Sequence, residues 1–207
     1  MKRMVVALVF LFGVMILCVG TPALADRASG LTHAFENLKM AQVPKTGLKD
    51  SYASGDDGAL QKGVPWPVPR FTDHNNGTVT DNLTGLVWMK NANDEGGGGF
   101  GSLSWEDACA ACNALKHGDY GLADNSVAGD WRLPNVRELQ SLVDYGAVFP
   151  AWPAGHPFAG AAGYYFWSST THPTATHLAN AVHFGDGALG PNYKSYAYKV
   201  WCVRNGK

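Results

Sequence analysis

Three kinds of side chain in this sequence are equipped for chemistry: thiols, oxygen donors at turns, and hydroxyls or imidazoles set among aromatic residues. The cysteines are Cys18, Cys109, Cys112 and Cys202. Cys109 and Cys112 have the C-x-x-C spacing of redox motifs and zinc ribbons. A zinc ribbon needs a second pair at matching spacing, which is lacking here. A thioredoxin-type pair sits at a helix N-terminus, whereas both of these cysteines fall well inside a predicted helix. Asp73, Asn75 and Asp81 surround a turn with oxygen donors, as calcium loops do. An EF-hand loop counted from Asp73 needs glycine sixth and glutamate twelfth, but Gly77 is fifth and Thr84 twelfth. Turn formation is therefore the favoured reading and calcium the lesser one; no other cofactor is implied.

The remaining candidates have plain structural readings. Ser168, Ser169 and Thr170 follow Trp167, yet no histidine and aspartate stand at a recognisable spacing to activate a hydroxyl. His172 and His177 flank a Pro-Thr loop and His183 falls on a predicted strand, so all three read as loop or surface histidines and not as metal ligands. Trp131, Arg132, Leu133 and Pro134 lead towards Glu138. An arginine beside a tryptophan is able to grip carboxylates or sugars, but the favoured role is structural, with Trp131 and Leu133 packing and Arg132 tying loops through its five donors. The N-x-T strings at Asn76 and Asn82 read as turns.

These residues must be positioned by a compact globule, because the 207-residue chain is 46% hydrophobic and only 16% charged. Lys2 and Arg3, the apolar run over residues 4–20 and Ala23-Leu24-Ala25 form an export signal, predicting cleavage after Ala25. The remaining chain has 14 basic and 17 acidic residues, a net charge of −3, and carries no second run of membrane-spanning length. That charge argues against nucleic acid as a partner. Any affinity for sulfated polymers would rest on a local patch such as Lys194, Lys199 and Arg204. Three segments are expected: the signal over 1–25, a loosely ordered leader over 26–42 with weak helical character near Phe35–Met40, and one domain over 43–207.

Within the domain, the proline-rich stretch up to Arg70 reads as surface loop. FTDHNNGTVTD over 71–81 reads as a hairpin about Asn76-Gly77, and LVWMK over 86–90 as the next strand. The glycines at 96–99 form a loop. Ser104 and Asp107 make a near capping box for a helix that ends close to Gly118, and Asn135 with Glu138 starts a second helix whose apolar face is Val136, Leu139, Leu142 and Val143. Strands follow from Tyr164, Ala179 and Tyr198. Strands, then two helices, then a block of strands argue α+β. On the first helix, Trp105, Ala108, Cys112 and Leu115 share one inward face, which points Cys112 at the core. Over residues 198–204 neither set of alternate residues is clean enough to say which way Cys202 faces.

Six strings occur in one order: GTVTDNLTGLVWMK (77–90), W-x-x-A-x-x-x-C-x-x-L (105–115), DWRLPNVRELQSLVDY (130–145), FWSST (166–170), HFGDG (183–187) and VWCVR (200–204). Together they resemble the Lcl C-terminal domain family, bacterial domains of unknown function named after the end of a collagen-like adhesin. Upstream, PKTG and GDDGALQKG resemble a longer form of the family, extending the likeness over residues 43–204. Cys109 departs from it, standing where a nonpolar residue is expected.

The resemblance implies an exported or surface domain of C-type lectin-like fold, two helices flanking mostly antiparallel strands, with the early hairpin beside the last strand. The same fold serves the formylglycine-generating sulfatase-modifying enzymes. In the family a helix cysteine is tied to the final strand, and the matching helix position is Cys112. The resemblance thus implies a Cys112–Cys202 disulfide with Cys109 free. It implies no established activity. The favoured function is a non-catalytic recognition domain in the periplasm, in the medium or at the cell surface. Its tryptophans and tyrosines would build an aromatic surface for a glycan or a protein of the envelope. The alternatives are an oxidase-like enzyme, which needs an accessible redox cysteine pair, and a structural envelope component.

Overall fold

The computed structural model describes residues 7–11, 14–18, 43–92, 99–160 and 163–206. The chain divides into two units, Met1–Gln42 and Val43–Lys207. In the first, β1 (Ala7–Leu11) and β2 (Val14–Cys18) pair antiparallel within the apolar run, with Ala7 opposite Cys18. The expected helical character near Phe35–Met40 lies outside the described residues, as does most of the glycine run.

The second unit is α+β, with two sheets, mostly antiparallel, and three short helices. The extra helix is α1 (Asp57–Leu60), capped by Asp56, whose carboxylate accepts the amides of Tyr52, Ala53 and Ala59. The Tyr52 amide foremost holds the Asp56 carboxyl down at about 2. One sheet is built from β3 (Phe71–Asp73), β4 (Thr78–Asp81), β5 (Leu86–Met89) and β11 (Val203–Asn205), in the order β11-β5-β4-β3. The early hairpin therefore does lie beside the last strand: Val203 pairs with Trp88 and Asn205 with Leu86. Gly77, at φ 84°, closes the β3–β4 turn, and a Cβ there would come within 2.6 Å of the Gly121 carbonyl. Only glycine lets the 121–123 segment pack this close, with the Ala123 amide donating to Asn76 O at 2.8 Å.

The second sheet runs β6-β10-β7-β8-β9, formed by β6 (Ser102–Leu103), β7 (Tyr165–Thr171), β8 (Leu178–His183), β9 (Leu189–Tyr193) and β10 (Tyr198–Lys199). Helix α2 (Trp105–Ala114) begins at Ser104 as expected, but ends before Gly118 because Leu115 turns to an extended conformation. Helix α3 (Val136–Gln140) has the full capping box of Asn135 and Glu138, yet stops short of Leu142 and Val143, which are buried beyond its end.

The predicted strand from Tyr198 is broken in two. β10 belongs to one sheet and β11 to the other, and Val200, Trp201 and Cys202 in the link between them are buried in succession, followed by Val203 at the start of β11. A segment crossing between sheets is covered on every side, which is why no two-residue period was visible in it. Trp201 is the centre of the core, with the rings of Trp88, Trp152, Phe158, Phe166 and Phe184 around it at 4.9 to 5.8 Å and its indole N–H donating to Met89 O.

Candidate functional site

Cys112 and Cys202 are joined in a disulfide, their Cα atoms 5.4 Å apart, and both are fully buried. Cys109 is the free thiol, half-buried on the neighbouring face of α2. Burial pushes its pKa up, nearby Lys194 pulls it back, and Glu106 adds to the rise. A reactive thiolate wants the opposite environment. The accessible cysteine pair that the oxidase reading requires does not form here, since Cys202 is bonded to Cys112 and Cys109 stands alone.

Aromatic residues divide sharply between inside and outside. Trp88, Trp131, Trp167 and Trp201 are fully buried and Trp152 nearly so, so the expectation of a tryptophan surface is corrected: those indoles fill the core. Most of the exposed rings are tyrosines, with Phe149 also exposed and Trp66 and Trp105 partly buried. A ladder steps from His183 on β8 to Tyr165 on β7 (4.6 Å between ring centres) and Tyr198 on β10 (5.1 Å), and returns through Tyr196 in the β9–β10 turn (6.2 Å) to Tyr193 at the end of β9 (5.4 Å) and His177 before β8 (5.6 Å). Tyr165, Tyr193 and Tyr196 are 39%, 52% and 48% exposed. Lys199 stands 5.0 Å above the Tyr164 ring and Lys194 3.7 Å above Trp105. Tyr198, whose hydroxyl donates to Asn192 Oδ1 at 3.0 Å, has its pKa raised by burial and by Tyr165 and Tyr196.

A separate polar cleft of about 410 Å³ is lined by Asp124, Ser126, Gly129, Asp130, Arg132, Arg204, Asn205 and Gly206. An antiparallel bridge, Arg132 N to Val203 O at 3.0 Å with the return bond at 2.9 Å, brings the Arg132 segment against β11. Arg132 grips Glu138 with two bonds of 2.7 Å and reaches Asn205 Oδ1 at 3.4 Å; Glu138 also accepts the Asn135 amide. Burial works to raise the Glu138 pKa, but Arg132 and the Asn135 amide outweigh it and hold the carboxyl below its usual value. The neighbouring Trp131, Leu133 and Pro134 are buried.

Arg204 is bound far more loosely. Asp124 Oδ2 is 3.3 Å away without hydrogen-bond alignment, and the Trp131 ring lies 5.2 Å from the guanidinium carbon. Arg204 Nε and Asp124 Oδ2 are both buried without a hydrogen-bond partner. Of the cations expected to form a local patch, Arg204 lines this cleft, while Lys194 and Lys199 stand over the Trp105 and Tyr164 rings. Asp124 and Asp130 were not legible as site residues: locally each reads as a turn former, and nothing in the sequence links either one to an arginine in the last strand.

Asp73, Asn75 and Asp81 are each engaged within the protein. Asp73 pairs with Lys90 at 2.6 Å and accepts the Asn75 amide, Asn75 turns the chain at φ 54°, and buried Asp81 pairs with Arg70. Among the described residues no group of three or more His, Cys, Asp or Glu is arranged to hold a metal ion. The Ser168 hydroxyl is buried and donates to Asn180 O, while Thr170 Oγ1 accepts the Val136 amide at the start of α3. His172 Nδ1 accepts the Ala175 amide; His183 meets Asp186 at 2.7 Å.

This α+β domain, with its buried helix-to-link disulfide, is matched by the Lcl C-terminal domain family over residues 77–204, more than half of the chain. The chain belongs to that family, whose function is unknown. No curated protein matches it. The disulfide suits an oxidising compartment, and among the described residues no helix is long and apolar enough to cross a membrane.

Proposed function

We propose that this is a non-catalytic recognition domain of C-type lectin-like fold, exported after cleavage at Ala25, that holds a glycan or a surface protein of the cell envelope through the tyrosine ladder. The ladder carries the reading. Tyrosine offers a flat apolar face for sugar C–H groups or a partner's side chains, a hydroxyl for orientation, and little rotamer entropy to lose. Rings in contact with one another hold their geometry before a partner arrives, which lowers the ordering cost of binding. Export is supported by the signal-like N-terminus and the disulfide; the lectin-like assignment is supported by the two-sheet arrangement and the tie between α2 and the last inter-sheet link.

A glycan array and a pull-down from envelope fractions, each run with wild-type protein and with Tyr193→Ala/Tyr196→Ala, test the reading. Both side chains are about half exposed, so the variant keeps its stability while losing binding. Equal binding by the two proteins overturns the assignment to the ladder.

A further inference from the structure

The cleft at Arg204 is built differently from the ladder and shares no lining residue with it. Its volume falls within the range of small-molecule sites, about 300–1,000 Å³. Its lining carries both signs: Arg132 and Arg204 with Asp124 and Asp130, beside the Asn205 amide. Counting Glu138 behind Arg132, two positive charges meet three negative ones, so the site has no net attraction for an anion. What it offers is hydrogen bonding of both kinds within one small volume.

Here an unsatisfied carboxylate oxygen and an unsatisfied guanidinium nitrogen belong to one ion pair beside a cleft. Asp124 has a side chain only 1% exposed; its Oδ1 accepts the Ser126 amide and hydroxyl, and its Oδ2 accepts no hydrogen bond. Among the described residues, the Arg204 guanidinium makes no aligned hydrogen bond to protein. A guanidinium carries five donors, and buried polar groups are nearly always satisfied. A group that merely stapled the fold would be bonded as Arg132 is to Glu138, which engages two of the five Arg132 donors. An arginine held by one misaligned counter-charge and one ring face is positioned, and its terminal nitrogens, unlike the covered Nε, remain to donate into the cleft.

We propose that this cleft binds a neutral polyhydroxylated ligand of about monosaccharide size. Adjacent hydroxyls of a sugar accept from Arg204 and Arg132 and donate to Asp130 and Asn205, a two-way exchange that neither an anion nor a hydrocarbon is able to complete. Asp124 acts from behind as a positioning residue that fixes the Arg204 plane over Trp131. The site goes beyond the recognition reading above and stands or falls independently of the ladder.

Calorimetric titration and saturation-transfer NMR of the purified protein with glucose, galactose and N-acetylglucosamine, set against glucuronate, test the proposal. At least one neutral sugar is expected to bind, with glucuronate no tighter. Arg204→Met and Asp130→Ala are each expected to weaken that binding about tenfold, the effect of losing one hydrogen bond to a charged group. Tyr193→Ala is expected to leave it unchanged. If Arg204→Met does not fold, exposed Asp130 supplies the deciding variant. Absence of neutral-sugar binding to folded protein, preference for glucuronate, or undiminished binding by Asp130→Ala overturns the proposal. Loss of binding in Tyr193→Ala also overturns it, by moving the sugar to the ladder.

Discussion

Two buried arginine–aspartate pairs, one in each of two neighbourhoods of the same sheet, have opposite construction. Arg70 donates to Asp81 at 2.8 and 3.3 Å and to the Ser141 carbonyl at 2.7 Å, while Asp81 also takes the Leu83 amide and the Thr84 hydroxyl. Trp66 and Phe71 lie against the guanidinium at 4.7 and 5.0 Å. The Arg204–Asp124 pair is nearly as buried but has a single contact of 3.3 Å and opens on a cleft. Burial by itself therefore does not separate a staple from a site. What separates them is how much of the hydrogen-bonding capacity is engaged inside the protein: Arg70 and Asp81 make five hydrogen bonds and leave only Arg70 Nη1 without a partner, whereas Arg204 and Asp124 make none to each other.

The contrast is open to measurement on a scale set by the disulfide. Cys112→Ala opens a loop closed over a separation of 90 residues, and a loss of about 4–5 kcal/mol is expected in urea unfolding under oxidising conditions. Asp81→Ala strands Arg70 in the interior and should cost about 3–5 kcal/mol, whereas Asp124→Ala should cost only about 1–2 kcal/mol because few bonds are lost. Equal losses in the two aspartate variants would erase the distinction. The half-exposed Arg132–Glu138 pair falls between them and supplies a pH test. Glu138 has a folded pKa below its unfolded value, so its contribution is complete above the unfolded pKa and disappears as pH falls through the folded one. Acid titration of stability should accordingly show a shallower decline in Glu138→Gln than in wild type. Cys109→Ala, at a half-buried thiol outside the disulfide, should change stability by less than about 0.5 kcal/mol, and intact-mass mapping should find the Cys112–Cys202 bridge unaltered.

Local chemistry was readable in the sequence and long-range convergence was not. Ser104 and Asn135 announced two helix starts because caps depend on residues three apart, and Asn76-Gly77 announced its hairpin for the same reason. The family's ordered strings pointed to Cys112 and Cys202. By contrast β9 was invisible: Pro191 argues against a strand, yet β9 is the sheet's outer edge, where a missing N–H does little harm. That five of the seven tryptophans turn inward was equally hidden, since composition counts rings without facing them. The Arg204 cleft needed the bridge between Arg132 and Val203 before its residues came together.

The crossing at residues 200–202 also governs when this domain is able to fold. Trp201 donates to Met89 across a separation of 112 residues, and β11, which pairs with β5, and the Cys202 sulfur come equally late in the sequence. Until that segment appears, β5 lacks one neighbour, the surrounding rings lack their centre, and α2 has nothing to be fastened to. Closures of such length are slow compared with local turns and helices. A polypeptide threaded amino-terminus first through a translocation channel would therefore remain extensible through most of its passage, and the keystone would drop into place only on the far side.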